Sequence, residues 1–279
     1  LMYDFDRTLS PRDMQEYGFI PGLGMDPTAF WAECNAAMKR HGMDSILAYM
    51  LVMLEKSRGR QLVTQETLRG LGESVKLFPG VKSWFHRVNA YAEKNNLMPE
   101  HYIISSGLRE IIEGTPIAPE FKEIYAASFC YDEDGVPIWP AMAVNYTSKT
   151  QFLFRINKGV LDVTENRGLN EYMPEDLRRV PFRNMIYIGD GLTDVPCMKL
   201  TKVNGGHSLA VYQTDRGEAD DMIRHGRVDY VVPADYSKGS ELEQAVFEVV
   251  DQVAAMAKTA RRHMAHYDAA CGNASGSAR

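Results

Sequence analysis

Two aspartates near the start of the chain are spaced so that their carboxylates share one small space. Asp4 and Asp6 follow a short apolar segment, residues 1–3. On extended backbone, side chains two residues apart point to the same side. Two unpaired carboxylates placed in this way would repel each other and would be costly to desolvate. The pair therefore indicates a bound cation, a shared proton or a division of catalytic work, although an Asp-x-Asp pattern alone also fits a solvated turn.

Further polar groups follow later apolar runs and supply what a phosphoryl group requires. They are Ser105-Ser106-Gly107, Lys149 at the start of a predicted helix, and Gly189-Asp190-Gly191-Leu192-Thr193-Asp194. Together they offer oxygen ligands for Mg²⁺, hydroxyl and backbone N–H groups for phosphate oxygens, and an ammonium group. Groups of this kind suit a phosphoryl group held in line with an attacking carboxylate.

Two lysines compete for the cationic role. Thr147 and Ser148 can cap a helix whose first turn contains Lys149, which would place its ammonium group at the edge where the strands end. Lys158 falls near the end of the same helix, before Gly159, where a positive charge is favourable by itself. We therefore predict that Lys149 faces the site and keep Lys158 as the alternative.

The elements that position these groups alternate between strands and helices. Apolar runs at residues 102–104, 185–188, 209–212 and 230–232 each lead into polar residues and a helix candidate. A β-hairpin is predicted at residues 124–139, as a small insertion on the sheet. The alternation predicts an α/β fold with a Rossmann-like, open, mostly parallel sheet, in which active sites lie beyond the carboxyl ends of the strands.

A helical segment separates the first motif from the rest of the sheet. Apolar residues recur at helical spacing from residue 26 to residue 57, and a further helix begins near Thr64. Turn-forming residues lie on both sides of this segment. We predict a core formed by residues 1–10 and 79–262, a helical cap at residues 11–78, and a disordered tail at residues 263–279.

The sequence Asp4-Phe5-Asp6-Arg7-Thr8-Leu9 resembles the DxDxT signature of the haloacid dehalogenase (HAD) superfamily. The Ser, Lys and GDxxxD motifs follow in the family's order, and the resemblance covers residues 1–235. The helical segment resembles the C1 cap of the phosphoserine phosphatase-like branch. Arg7 departs from the glycine often found between the second Asp and Thr. The resemblance implies a Mg²⁺-dependent phosphoric monoester hydrolase.

The same resemblance implies a role for each matching residue. Asp4 would be the nucleophile and a metal ligand, and Asp6 the general acid and base that also contributes to the metal site. Asp190 would be the further metal ligand, supported by Asp194 and Gly191. The substrate phosphate would contact Thr8, Ser105, Ser106, Gly107 and Lys149.

The implied reaction transfers phosphate from a small phosphorylated metabolite to Asp4, and water then hydrolyses the aspartyl-phosphate, with Asp6 acting first as acid and then as base. A dehalogenase would not need that acid. A phosphomutase or phosphotransferase would keep the same residues, and a catalytically silent binding or regulatory protein of the same fold is the rival from another class. Candidate contacts for the rest of the substrate are Arg7, Glu16, Trp31, Glu33 and Asn35.

Composition excludes several function classes. The 279 residues carry a formal net charge of −6 and are 45% hydrophobic and 24% charged, which indicates no basic surface for nucleic acid. Four widely spaced cysteines predict neither a disulfide scaffold nor a zinc module. No apolar run approaches the ~20 residues of a membrane span, and no targeting segment is visible. We expect a cytoplasmic enzyme with residues preceding Leu1, while the oligomeric state stays open.

Overall fold

The computed structural model describes residues 1–276, and a seven-stranded sheet forms its centre. The strands are β1 (Met2–Tyr3), β2 (Tyr102–Leu108), β3 (Glu123–Tyr131), β4 (Pro137–Met142), β5 (Ile186–Gly189), β6 (His207–Tyr212) and β7 (Tyr230–Pro233). Their order is β4-β3-β2-β1-β5-β6-β7, and every neighbouring pair is parallel except β3 with β4. The predicted α/β fold with an open, mostly parallel sheet is therefore confirmed.

Helices cover both faces of this sheet. They are α1 (Phe19–Gly22), α2 (Pro27–His41), α3 (Ser45–Ser57), α4 (Gln65–Gly70), α5 (Val81–Lys94), α6 (Arg109–Glu113), α7 (Lys149–Lys158), α8 (Arg167–Asn170), α9 (Val195–Val203), α10 (Gly217–Arg224) and α11 (Glu241–Gly276). None of the helices within residues 1–276 combines the length and apolar character that crossing a membrane requires.

The short strand β1 contributes to both apolar layers of the core. Tyr3 packs in the layer that contains Trp84 of α5, whereas Met2 packs in the layer that contains Phe152 of α7. Successive residues of a strand point to opposite faces, which explains this division. Asp4 follows Met2 by two residues, so its carboxylate lies on the side of α7.

The predicted β-hairpin is confirmed as β3 and β4, and both of its strands belong to the main sheet rather than to an insertion on it. β3 pairs in parallel with β2, for example Ile103 with Ile124, and β4 forms the antiparallel edge. The hairpin pattern in the sequence indicates only that β3 pairs with β4 across their turn. The parallel pairing of β3 with β2 joins distant parts of the chain and leaves no short-range signal in the sequence.

Between β1 and β2 the chain is helical, as the apolar spacing predicts. Gly42 ends α2 with a left-handed φ of 58°. Asp44 then begins α3, because its side chain accepts hydrogen bonds from the backbone N–H groups of Ile46 and Leu47. α2 and α3 therefore form two separate, packed helices. The cap boundaries at residues 11 and 78 stay a prediction.

The last helix continues beyond the predicted start of the disordered tail. Leu242 and Val246 bury the first part of α11 against the core, and residues 259–271 are exposed. Instead of becoming disordered at residue 263, α11 continues to Gly276. Alanine has the highest helix propensity and occurs repeatedly in residues 254–270. The helix therefore continues although apolar residues no longer recur at helical spacing. Residues 277–279 of the predicted tail lie outside the described residues.

Candidate active site

The carboxyl ends of three neighbouring strands bring the predicted motifs to one edge of the sheet. Asp4 directly follows β1, Asp190 directly follows β5, and Ser105 lies within β2. β1 pairs with both of the other strands, since Tyr3 is in register with Ile103 and with Ile188. The residues that follow these strands therefore meet at the same place.

Lys149, the first residue of α7, is buried between two carboxylates. Its Nζ lies 2.7 Å from Oδ1 of Asp194 and 3.1 Å from Oδ1 of Asp4. Burial alone would lower the pKa of this ammonium group, but the two carboxylates raise it above its ordinary value. Lys149 is therefore charged at neutral pH and compensates part of the negative charge of the site.

The competing lysine lies elsewhere, at the other end of α7. Nζ of Lys158 donates to two main-chain carbonyls of the segment after the helix, at 2.5 and 2.6 Å. The start of α7 also differs from the prediction, because neither Thr147 nor Ser148 caps it with its side chain. Oδ1 of Asn145 accepts their backbone N–H groups instead, and this turn leads into the helix.

Three carboxylates lie close enough together to hold a cation. Asp4, Asp190 and Asp194 offer oxygens that all lie within 4.8 Å of one another. Burial, followed by the neighbouring carboxylates, raises the pKa of Asp4 to about 6 and the pKa of Asp190 to about 8. A divalent cation would relieve this repulsion, and carboxylate oxygens are the ligands that Mg²⁺ prefers. The donor set therefore fits Mg²⁺.

Asp194 is held by partners that suit a supporting role. Its Oδ1 accepts hydrogen bonds from Lys149 at 2.7 Å and from the hydroxyl of Tyr187 at 2.8 Å. Its backbone N–H donates to the carbonyl of Gly191. A Cβ at Gly189 would lie 2.5 Å from Oδ2 of Asp194, so this close approach requires glycine. These contacts fix the orientation of Asp194, and its buried Oδ2 has no hydrogen-bond partner.

Sequence reasoning missed Tyr187. The residue lies on β5, is fully buried and donates to a carboxylate of the cluster. The available signal was a tyrosine in an otherwise aliphatic strand that leads into the Gly-Asp-Gly motif. A buried tyrosine hydroxyl usually has a hydrogen-bond partner, so its position next to that motif could have suggested one.

Asp6 lies beside the carboxylate cluster and is not one of its three members. Its Oδ1 accepts the backbone N–H of Met14 at 2.8 Å. A Cβ at Gly107 would lie 2.9 Å from its Oδ2, so glycine gives this carboxylate room. Burial, Asp13 and Asp4 raise the pKa of Asp6 well above its ordinary value. This favours the protonated form that a general acid needs, while a metal contact through the main-chain carbonyl of Asp6 stays a prediction.

The backbone conformation of the turn between Asp6 and Thr8 explains why the family often has glycine where this chain has Arg7. Arg7 has a φ of 58°, in the left-handed region that glycine adopts freely and other residues seldom adopt. Its guanidinium pairs with Asp13 at 3.1 Å. The carbonyl of Thr8 accepts a hydrogen bond from the hydroxyl of Tyr236 at 2.9 Å. The turn therefore keeps its conformation without glycine, at a cost of about 1–3 kcal/mol.

The residues that are predicted to bind phosphate differ in their hydrogen-bond partners in this structure. Oγ1 of Thr8 lies 3.4 Å from Oδ1 of Asp190 and donates to it. Oγ of Ser105 accepts the backbone N–H two residues further on, at 3.1 Å. The hydroxyl of Ser106 donates to the carbonyl of Val144 at 2.7 Å, so it already has an acceptor. Phosphate contacts by all of these residues stay predictions.

A cavity of about 250 Å³, the cap cavity, opens beside Asp6 between the sheet edge and the helices α2 and α3. Trp31 and Asn35, both candidate substrate contacts from the sequence, line it. Glu16 accepts the indole N–H of Trp31 at 3.0 Å, whereas Glu33 pairs with Lys56.

The chain matches a known family and a curated relative. A model of the haloacid dehalogenase-like hydrolase family matches residues 1–199. An uncharacterized protein from Borreliella burgdorferi is 28% identical over 279 residues, which covers 90% of this chain and 95% of that protein.

Two solved structures resemble the fold. The probable phosphoserine phosphatase from Vibrio cholerae, in its unliganded form, has a TM-score of 0.56 and 13% identity, covering 91% of this chain and 65% of that chain. A substrate-bound phosphoserine phosphatase complex has a TM-score of 0.51 and 11% identity, covering 82% of this chain and 90% of that chain. At these identities the likeness shows a shared fold.

Proposed function

This chain belongs to the haloacid dehalogenase-like hydrolase family, and from that membership we propose that it is a Mg²⁺-dependent phosphatase acting on a small phosphorylated metabolite. The observation that carries the proposal is the buried Lys149 between Asp4 and Asp194, next to Asp190. Positive charge fixed in this way neutralises a phosphoryl group during its transfer. The phosphoserine phosphatases among the fold neighbours support the same class of reaction.

Asp4 is the proposed nucleophile. Its Oδ1 accepts the backbone N–H of Phe5 at 2.8 Å and lies 3.1 Å from Nζ of Lys149, so the carboxylate has a fixed orientation. Attack on phosphorus would form the bond from Asp4 to phosphorus and break the bond from phosphorus to the leaving oxygen. The product of this step is an aspartyl-phosphate and an alcohol.

Asp6 is the proposed acid and base. Protonated at the start, because burial and nearby carboxylates raise its pKa, it would give its proton to the leaving oxygen. The resulting carboxylate would then take a proton from the water that attacks the aspartyl-phosphate. After phosphate is released, Asp4 is again a carboxylate and Asp6 is again protonated.

Asp4, Asp190 and the main-chain carbonyl of Asp6 would hold the Mg²⁺ ion, and when bound it would supply positive charge to the non-bridging phosphate oxygens. Thr8, Ser105, Ser106, Gly107 and Lys149 would contact the same oxygens. The pKa values of Asp4 and Asp190, raised by burial and by the neighbouring Asp194 carboxylate, support this metal assignment.

We also propose that residues 11–78 act as a cap that opens for substrate. The hydroxyl of Tyr49 donates to the carbonyl of Ser106 at 2.8 Å, and Nδ2 of Asn145 donates to Asp44 at 2.9 Å. These contacts join the helical segment to the sheet side of the site. Opening would break them, and closure would exclude water while Asp4 is attacked.

The test is hydrolysis of an aryl phosphate with and without Mg²⁺. We expect turnover that is lost in a chelator and restored by Mg²⁺, with circular dichroism showing that the fold persists. Ca²⁺ should not restore turnover, because its looser and higher coordination does not hold the attacking geometry. Acid quenching with labelled substrate should leave label on Asp4. Full activity of the chelated protein would contradict the metal assignment.

A further inference from the structure

We propose that the alcohol released from the substrate carries no negative charge, and that this enzyme prefers phosphorylated amino alcohols to phosphorylated hydroxy acids. The inference rests on the proposed phosphatase function and specifies its substrate class. It departs from the phosphoserine substrate suggested by the names of the fold neighbours. Its basis is the chemistry of the cap cavity.

The position of the cap cavity identifies it as the place for the leaving alcohol. Asp6, the proposed acid, lines it together with Ser106 and Gly107 from the end of β2. The leaving oxygen must reach Asp6 to receive its proton. Groups attached to that oxygen therefore extend toward α2 and α3, where Trp31 and Tyr49 form part of the wall.

The cap cavity offers nothing that would bind an anion by charge. Among the described residues that line it there is no lysine and no arginine, and the acidic ones are Asp13 and the proposed acid Asp6. Arg7 pairs with Oδ2 of Asp13 but does not line this cavity. A carboxylate on the leaving alcohol would lose water in this cavity without gaining a countercharge from its lining, which is unfavourable.

The hydrogen-bond donors on the aromatic wall already have partners. The indole N–H of Trp31 donates to Glu16 at 3.0 Å, and the hydroxyl of Tyr49 donates to the carbonyl of Ser106 at 2.8 Å. Gln15, which lines the cavity, is 2% exposed, and its Oε1 has no hydrogen-bond partner. The aromatic side chains of the wall therefore have no free donor for a carboxylate, whereas aromatic rings suit an ammonium group.

A second, larger cavity does not change this conclusion. It lies on the other side of the turn and contains Arg7 and Arg12, but Asp190, Asp215 and Glu218 line it as well. Asp6 is not among its lining residues. A leaving oxygen placed there would be away from the proposed acid, so these arginines do not provide the countercharge for the leaving alcohol.

The first experiment compares substrates that differ by one carboxylate. Phosphoethanolamine and O-phosphoserine form one pair, and glycerol 3-phosphate and 3-phosphoglycerate form a second pair without an ammonium group. We expect kcat/KM to favour the member without the carboxylate by at least about tenfold in each pair, with phosphoethanolamine the best of the four.

The second experiment adds the missing positive charge. Asn35 lies on the exposed side of α2 and lines the cap cavity, so Asn35→Arg places a guanidinium at its wall without disturbing the core. We expect Asn35→Arg to shift the ratio of kcat/KM values toward O-phosphoserine by about tenfold, whereas the matched variant Asn35→Gln keeps the wild-type ratio.

The outcomes separate this inference from the proposed function. Absence of any aryl phosphate turnover would overturn the phosphatase function and this inference with it. Aryl phosphate turnover combined with equal or better turnover of O-phosphoserine would overturn only the inference. Aryl phosphate turnover without turnover of any of the four small phosphates would also overturn it, because a small alcohol is part of the proposal.

Discussion

Tyr3 ends β1 and Asp4 follows it directly, yet the two side chains face surroundings of opposite kinds. The hydroxyl of Tyr3 accepts the indole N–H of Trp84 and donates to Nδ1 of His101, both at 2.9 Å. Nε2 of His101 donates to Oδ1 of Asn89 at 2.8 Å, and burial lowers the pKa of this histidine to about 3. On the other face, Asp4 lies among charged groups that repel or attract it.

The difference shows which face serves the fold and which serves function. In the Tyr3 network every buried polar atom just described has a neutral partner, so the network stabilises the folded state. In the Asp4 cluster, burial and the Asp194 carboxylate raise the pKa of Asp4, so its ionised form is disfavoured by folding. A cluster that folding disfavours indicates a role in binding or catalysis.

The largest expected effect is on activity. Asp4→Asn should lower turnover by more than about 10⁴-fold, because the amide is not a nucleophile that can form the acyl phosphate. The same change should leave the free energy of unfolding of the metal-free protein equal or higher, since it removes a disfavoured charge. Turnover assays and urea unfolding measure the two effects, and Glu133→Gln in the exposed hairpin turn is the control. Normal turnover by folded Asp4→Asn would refute the mechanism.

The next effect separates the proposed acid from the nucleophile. Asp6→Asn should lower kcat by about 10²–10⁴-fold for an alkyl phosphate, whose leaving oxygen needs a proton. For nitrophenyl phosphate the loss should be smaller, because the nitrophenolate leaves without protonation. Equal losses for both substrates would show that Asp6 does not act as the acid in the first step.

The third prediction concerns pH on the charged face. The pKa of Asp4 rises from 3.8 to about 6 on folding, so the folded metal-free protein binds the proton more tightly than the unfolded chain. Below pH 3.8 Asp4 therefore does not lower the free energy of unfolding. As the pH rises through 6, ionisation of Asp4 lowers the free energy of unfolding by up to about 3 kcal/mol. Urea unfolding from pH 4 to 7 should show a less negative slope in Asp4→Asn. An unchanged slope would contradict the raised pKa.

The fourth prediction has the opposite sign, on the neutral face. The pKa of His101 falls from 6.5 to about 3 on folding, so between these values the unfolded chain binds a proton that the folded chain does not. Stability from this group is present above pH 6.5 and lost as the pH falls toward 3, by about 2 kcal/mol at pH 5. His101→Gln should lose this acid dependence, whereas the exposed His86→Gln should keep it. Identical acid profiles for both variants would count against a neutral buried His101.

The smallest expected effect tests whether the hydroxyl of Tyr187 positions the site or only stabilises the fold. Tyr187→Phe should lose about 1 kcal/mol of stability and lower kcat by about 3–10-fold, because Asp194, which also accepts from Lys149, loses one of its two hydrogen-bond donors at Oδ1. Tyr125→Phe is the matched control, since its hydroxyl donates to the carbonyl of Leu161 at 2.9 Å, away from the cluster. Equal rate losses in the two variants would remove Tyr187 from the positioning of the site.

Sequence reasoning could group the residues of the candidate site because most of them follow apolar strands. Asp4, Ser105 and Asp190 stand at or near strand ends, and parallel strands bring such residues to one edge. Lys149 could be favoured over Lys158 because of its place at the start of a helix, and the structure places Lys149 in the cluster. These are arguments from local pattern combined with one rule of topology.

The remaining features depend on contacts that no local pattern encodes. The parallel pairing of β3 with β2 follows from the packing of the whole sheet. The hydrogen bond from Tyr187 to Asp194 needs the turn geometry that Gly189 permits. The left-handed backbone of Arg7 contradicts its own preference and is set by its surroundings. Sequence patterns indicate which residues are available, whereas tertiary packing decides their partners.

The central position of β1 has a consequence for the order of events during synthesis. Its two neighbouring strands begin at Tyr102 and Ile186, and the turn after Asp6 is held by Tyr236, 228 residues beyond Thr8. At a synthesis rate of about 5–20 residues per second, Asp4 waits about 10–40 s before its second strand neighbour exists. Asp4 is therefore synthesised before the neighbouring strands and the tyrosine that later surround it.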